Sequence, residues 1–292
     1  MQLSLAAGYD LRTREGAVTR EMPSEIQAYY DRGLERSRLS HAEGTLELER
    51  IRAILHRVLP PAPARLLDIG GGPGVHAAWL ARDGYEVDLI DPMALHVDQA
   101  MELSAGQPEQ PFSAKIGDAR QLEVPDASVD GALLLGPLYH LPERNDRLLA
   151  LREAVRVVRP DGIVVAAAIS RYASWLDGTR KGWLATEPEF KTIARQDLET
   201  GRHRGGHDAD PRWFTTAFFH LPSELAEELA QAGLVDIELV AVQGPFWLMS
   251  DLEARMADGA QRQALLESIE AISHEPSMLG ASSHILGIAR RR

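Results

Sequence analysis

A chain of 292 residues, 45 % of them hydrophobic, is long enough to bury a sizeable core in one large domain or in a domain with insertions. Its formal net charge of −12 argues against a general nucleic-acid surface, and the absence of cysteine rules out disulfides, thiolate-bound zinc and a cysteine nucleophile. No apolar run approaches the ~20 residues that span a bilayer, and the first residues lack the basic start and apolar core of a signal peptide, so the expectation is a cytoplasmic protein that engages neither membrane nor nucleic acid.

Residues 1–20 show no periodicity and read as a loose arm. Residues 25–39 (EIQAYYDRGLERSRL) read as a helix interrupted at Gly33, and in residues 46–58 Leu48, Ile51, Leu55 and Val58 recur at helical spacing. Pro60, Pro61 and Pro63 end that helix. They divide an N-terminal arm and helical cap, residues 1–60, from the main domain, residues 61–292. The stretch that follows, RLLDIGGGPGVHAA from Arg65 to Ala78, opens the main domain. Leu66, Leu67 and Ile69 flank Asp68 in a short apolar run of the kind buried in a parallel sheet. The glycines from Gly70 to Gly74 turn the chain sharply into a helix, as at the start of a nucleotide-binding βαβ unit. A dinucleotide fingerprint counted from Gly70 needs a glycine where Val75 stands, which disfavours a nicotinamide oxidoreductase.

The pattern that does stand here, Asp68-x-Gly70-x-Gly72-x-Gly74, resembles motif I of the class I S-adenosylmethionine-dependent methyltransferases. The resemblance extends over roughly residues 60–290. It implies a Rossmann-like, seven-stranded, mostly parallel sheet flanked by helices, with S-adenosylmethionine as methyl donor and S-adenosylhomocysteine as product. Asp68, Gly70 and Gly72 belong to its donor loop. Residues 85–90 (YEVDLI) form a second strand ending at Asp91, followed by Pro92; an acidic side chain there accepts from ribose hydroxyls. A third strand over residues 112–116 precedes Asp118 and Ala119, where the family places an acidic contact to adenine. A fourth strand, residues 129–135, ends at Leu135 and runs into Gly136-Pro137-Leu138-Tyr139-His140 beside the donor. A helix over 141–158, a turn at Pro160-Asp161-Gly162 and a buried fifth strand over 163–169 follow; residues 235–242 and 284–289 are the closing strands, the last antiparallel.

Between the fifth and sixth strands, about residues 171–222 are too long for an ordinary connection and read as a lid, with Trp175, Trp183, Trp213, Phe214, Phe218 and Phe219 either covering an acceptor or packing the lid itself. Residues 244–276 form a second, mostly helical insertion. In the N-terminal segment the resemblance sets Tyr29, Tyr30 and Arg38 over the donor's methionine end, with Arg38 pairing its carboxylate. His140 is the foremost general-base candidate, His220 the second and His41 a weaker third. His203 and His207, with Asp208 and Asp210, have metal-ligand spacing, but Gly205 and Gly206 between them favour a polar loop, so no metal is expected. Arg290, Arg291 and Arg292 read as a solvated tail.

The Asn/Asp-Pro-Pro-Tyr/Phe signature of base and amide nitrogen methylation is replaced by Gly136-Pro137-Leu138-Tyr139. No carboxylate cluster for metal-assisted catechol methylation is evident. A small organic acceptor, methylated on O, N or C, is the expectation. The alternatives are a peptide or macromolecular acceptor and a protein that uses the fold without methyl transfer, as a binding module or cyclase. Oligomeric state is open, a homodimer included.

Overall fold

The computed structural model describes residues 23–33, 35–39, 41–204 and 210–292. The loose arm expected over 1–20, and His207 and Asp208, lie outside the described residues. Two short helices, α1 (Ser24–Tyr30) and α2 (Glu35–Arg38), open the described chain, and Gly33 takes a φ of 70° between them. The long α3 (Ala42–Val58) ends at Leu59, ahead of the prolines. Five strands follow, with a helix between each pair except β3 and β4: β1 (Arg65–Ile69), α4 (Val75–Arg82), β2 (Glu86–Asp91), α5 (Ala94–Ala105), β3 (Ser113–Ile116), β4 (Val129–Leu134), α6 (Arg144–Val157) and β5 (Val158–Ser170). The stretch after β5 holds α7 (Ala173–Arg180), α8 (Trp183–Thr186), α9 (Pro188–Thr200), β6 (Arg202–His203) and β7 (Ala217–His220). The chain closes with α10 (Pro222–Gln231), β8 (Leu234–Ala241), α11 (Leu252–Ala257), α12 (Gly259–Ile272) and β9 (His284–Arg291).

The main sheet runs β3-β2-β1-β4-β5-β9-β8. The first five strands are parallel, and β9 enters antiparallel between β5 and β8. The alternating α/β pattern thus produces a mostly parallel sheet covered on both faces. On one face α3 and α4 bury Ile51, Leu55, Ala77 and Leu80 against Leu66, Leu133 and Val165. On the other, α6 and α10 bury Leu151, Ala154, Leu225 and Leu229 against Leu67, Ile69, Leu134 and Val164. Strand order reverses between β1 and β4, and ligands of open parallel sheets bind at the carboxyl ends beside such a reversal.

Three elements differ from the sequence reading. The bend expected at Pro160-Asp161-Gly162 lies inside β5: Asp161 takes a φ of 63°, and the register against β4 shifts between Val129 and Gly131. Arg290 and Arg291 are not a tail. They complete β9, where Arg290 donates to the Asp161 carbonyl at 3.0 Å. The insertion after β5 adds two strands to the seven expected: β7 pairs with the end of β5 through Ile169 and Ser170, and β6 pairs with β7.

Candidate functional site

The carboxyl ends of β1, β2, β3 and β4 and the helices α1 and α2 enclose a cavity of about 450 Å³. The end of β1 contributes Asp68, Gly70 and Gly72; β2 contributes Asp91 and, beyond it, Pro92. Asp118 and Ala119 follow β3, Leu135 and His140 follow β4, and Tyr30 and Arg38 come from the two helices. The glycine loop has a steric reason to be what it is. Gly70 has a φ of 67°, and a Cβ there would approach Pro137 Cγ to 2.7 Å, so β1 and the segment after β4 could not close together over a larger residue.

Asp91 is 4 % exposed and ties the floor together. It accepts from the Gly72 and Met93 amides, both at 2.9 Å, and lies 3.1 Å from His96 Nδ1. Asp68 is fully buried, and among the described residues neither carboxylate oxygen has a hydrogen-bond partner. Burial, reinforced by the charge of Asp91, pushes its carboxyl up to about 7. Asp118 is half-exposed and accepts from the Arg120 amide at 2.8 Å and from its guanidinium Nε at 3.0 Å.

Arg38 is held by two carboxylates: Nη1 and Nη2 donate to Glu47 at 2.9 and 3.1 Å, and Nε donates to Glu35 at 2.7 Å. Burial disfavours the Glu47 carboxylate, but the charge and hydrogen bonds of Arg38, together with the nearby imidazoles of His284 and His76, outweigh it and hold the group at about 2. The Tyr30 hydroxyl lies 2.6 Å from His140 Nε2. Burial drives the His140 imidazole down to about 3 despite the Thr216 backbone, which favours its charged form. His76 is likewise pushed down to about 4 by burial. The imidazoles of His76 and His140 are therefore neutral at physiological pH.

A second cavity, of about 230 Å³, lies on the far side of Tyr30, Glu35, Arg38 and Tyr139, four residues that line both spaces. Its walls come from the insertion after β5: Trp183, Phe190, Trp213, Phe214 and Phe219, with Trp247 from the segment before α11. The aromatic residues of the insertion thus divide. Phe218 turns away to stack on Arg147, whose guanidinium carbon lies 3.7 Å from its ring centroid, and Trp175 packs into the α9 cluster around Phe190.

Three expected residues lie away from these cavities. Side chains alternate along β7, so Phe219 faces the second cavity while His220 points to the opposite side, fully buried 3.3 Å from Glu228. His220, expected as the second base candidate, therefore lines neither cavity. Tyr29 lines neither cavity and packs edge-on against Tyr30 and Phe214 at 5.3 and 5.4 Å. His41 is exposed at the start of α3. His203 is occupied structurally: Nδ1 lies 2.8 Å from the Asp197 carboxylate and Nε2 lies 2.6 Å from the Trp213 carbonyl. Glu35, Glu47, His76, His96 and His284 were missed as site residues. Glu47 lies beside the apolar stripe of α3, and His284 is the first residue of β9, ahead of its largely apolar run from Ile285 to Ala289; neither carries a motif.

Residues 67–166 match the methyltransferase-domain family model. The chain is 30 % identical over 212 residues to the ubiquinone/menaquinone biosynthesis C-methyltransferase UbiE of Rubrivivax gelatinosus, covering 67 % of this chain and 78 % of that one. It is 34 % identical over 110 residues to the 2-methyl-6-phytyl-1,4-hydroquinone methyltransferase of Synechocystis, covering 37 % of this chain and 33 % of that one. Among solved structures, an S-adenosylmethionine-dependent methyltransferase from Methanosarcina mazei superposes with a TM-score of 0.54 at 20 % identity, covering 82 % of this chain and 96 % of the other.

Proposed function

The chain belongs to the S-adenosylmethionine-dependent methyltransferases, and we propose that it moves the donor's methyl group to a small organic acceptor held in the aromatic cavity. The observation that carries this reading is the shared wall: one space at the strand ends and a second, aromatic one meet at Tyr30, Glu35, Arg38 and Tyr139. When bound, the donor supplies a methyl group on a positively charged sulfur, so the protein's tasks are to orient the partners, exclude water and take up a proton where the acceptor gives one. Among the described residues no helix is long and apolar enough to cross a membrane.

Each residue on the donor side has a task of its own. Asp91 accepts from the ribose hydroxyls, Asp118 from the adenine amino group, and the Gly70–Gly72 backbone lies beneath. Asp68 pairs the donor's ammonium. An unpartnered, buried carboxylate is what such a cation needs, and the fit predicts a pH dependence. Below pH 7 the free protein carries Asp68 protonated, and the ammonium must displace that proton. Affinity for S-adenosylhomocysteine should therefore fall by up to tenfold per pH unit below 7 and level off above it. Calorimetry across that range, with Asp68→Asn giving weak and pH-independent binding, checks the assignment.

His140 and Tyr30 form a hydrogen-bonded pair at the wall of the donor cavity, and their task is to orient the acceptor's nucleophilic atom: with burial holding the imidazole at about 3, His140 Nε2 is a fixed partner of the Tyr30 hydroxyl rather than the place where the acceptor's proton comes to rest. Tyr30→Phe and His140→Phe should each lower kcat by about 10²-fold while leaving homocysteine-product binding within a few-fold. Equal loss of product binding would make the pair structural.

The test of the whole reading uses methyl-labelled S-adenosylmethionine with a cell extract, and follows the label by mass spectrometry. Label in a small molecule supports the proposal and identifies the acceptor. Label in protein or RNA overturns the acceptor class. Tight product binding with no label transferred anywhere points to the fold being used without the chemistry.

A further inference from the structure

The second cavity has one polar group whose state can be worked out from its neighbours. Gln243 Oε1 lies 3.1 Å from the backbone nitrogen of His284 and 3.2 Å from Ser282 Oγ. A backbone N–H can only donate, so Oε1 is the acceptor and the orientation of the Gln243 amide is fixed. Its NH₂ group then points at His284 Nδ1, 3.1 Å away, and donates to it. Nδ1 must accept, which leaves the imidazole proton on Nε2. The Glu47 carboxylate is 3.5 Å from Nδ1 and is already taken by Arg38, so it does not draw the proton to that side. No described group takes the Nε2 proton, and the His284 side chain is 17 % exposed where it lines the cavity.

The charges around the same space are spent among themselves. Arg38 is shared by Glu35 and Glu47. Arg180 bridges Glu43 and Asp177, and Lys181 also pairs Asp177. Arg212 is held by Asp210. With the charges paired, what faces a ligand is mostly aromatic wall, with Ser174, Ser283 and the tyrosines Tyr30 and Tyr139 at its edges and the neutral N–H of His284.

We propose that this cavity takes an uncharged, planar ring carrying a hydroxyl or carbonyl oxygen, which stacks among the insertion's aromatic side chains and accepts the Nε2 proton of His284, with Gln243 as the positioning residue that fixes the tautomer. The proposal deepens the acceptor reading and rests on it. A flat ring gains from edge and face contacts with Trp183, Phe190 and Phe214. An ammonium group has no lone pair to offer the N–H and finds no unpaired carboxylate among the described residues that line the cavity.

The experiment is a nitrogen-15 NMR titration of histidine-labelled full chain saturated with S-adenosylhomocysteine, using 1-naphthol, naphthalene and 1-naphthylmethylammonium as probes. Before any probe is added, His284 should show the neutral form protonated on Nε2; a proton on Nδ1 overturns the proposal. 1-Naphthol should shift the Nε2 resonance and bind about tenfold more tightly than naphthalene, the worth of one good hydrogen bond, and the ammonium probe should bind least. Equal affinity for naphthol and naphthalene, or preference for the ammonium, also overturns it. In His284→Phe the naphthol advantage should vanish while naphthalene still binds. Methyl label appearing in an extract acceptor alongside a failed tautomer test would sink this proposal and leave the transfer reading standing. A passed tautomer and naphthol test with no transferred label would do the reverse.

Discussion

Replacing Asp91 with alanine should reduce affinity for S-adenosylhomocysteine by roughly a hundredfold or more. The carboxylate does two things at once. It is proposed to accept from both ribose hydroxyls, and charge-assisted hydrogen bonds of that kind contribute about 1.5–3 kcal/mol each. It also accepts from the Gly72 and Met93 amides and lies beside His96 Nδ1, so its loss frees the glycine loop from the end of β2. The unpartnered amides left behind should cost the free protein about 1–3 kcal/mol of stability as well. Asp91→Asn is the informative comparison. It keeps one acceptor oxygen for Met93 and puts an NH₂ where Gly72 needs an acceptor, so folding should be partly restored while product affinity stays low. Calorimetry with S-adenosylhomocysteine and a denaturant melt separate the two effects. Alanine binding as tightly as wild type would remove Asp91 from the ribose.

How much of this was legible before the fold was known depends on which physical rule governs each residue. The β1 strand and its glycine turn could be read because a parallel strand buried on both faces is apolar throughout, and because only glycine turns there without collision, as Pro137 against Gly70 shows. Asp91, Asp118 and Leu135 could be placed because strand ends in an alternating α/β chain converge on one edge of the sheet. His220 could not be placed. Reading a strand from sequence leaves open which alternate residues face which side, and one position decides between the aromatic cavity and the Arg147–Glu228 pair. Glu47 and Arg50 were hidden for a related reason. They lie on the buried side of α3 among Leu46, Ile51 and Ile54, and partners distant in sequence make that burial tolerable: Arg38 for Glu47, Glu270 and the Val242 carbonyl for Arg50. His284 has no local signal at all, because its role comes from Gln243, 41 positions away in sequence.

The largest effect on folding should come from Arg147, a residue no motif singles out. It is 2 % exposed, with Nε and Nη2 donating to Glu228 at 2.7–3.1 Å, Nη1 donating to the Leu141 and Pro142 carbonyls at 2.9 Å, and its guanidinium stacked on Phe218. Burial disfavours the Glu228 carboxylate, yet His220 and Arg147 together hold it at about 2. Arg147→Met should therefore cost about 3–5 kcal/mol, because an almost fully buried carboxylate loses its main partner. The double variant Arg147→Met with Glu228→Leu should recover much of that loss, since removing both charges leaves little to desolvate. The pH dependence has a definite sign. A carboxyl held at about 2 in the fold and 4.5 outside it adds stability that is complete above about pH 4.5 and disappears as pH falls toward 2. Glu47 acts in the same direction. Asp68 acts oppositely: raised to about 7, it makes the free protein less stable as pH rises from 3.8 to 7, a slope that donor binding should remove. In Arg147→Met the Glu228 share of the acid slope should shrink, because the unpaired carboxyl takes up a proton at higher pH. The same variant tests a link between fold and site. The two carbonyls Arg147 holds directly follow His140, so the single variant should loosen the Tyr30–His140 contact and lower kcat more than it weakens product binding. If the melt falls as expected and kcat does not, Arg147 anchors α6 to α10 without setting the position of the imidazole.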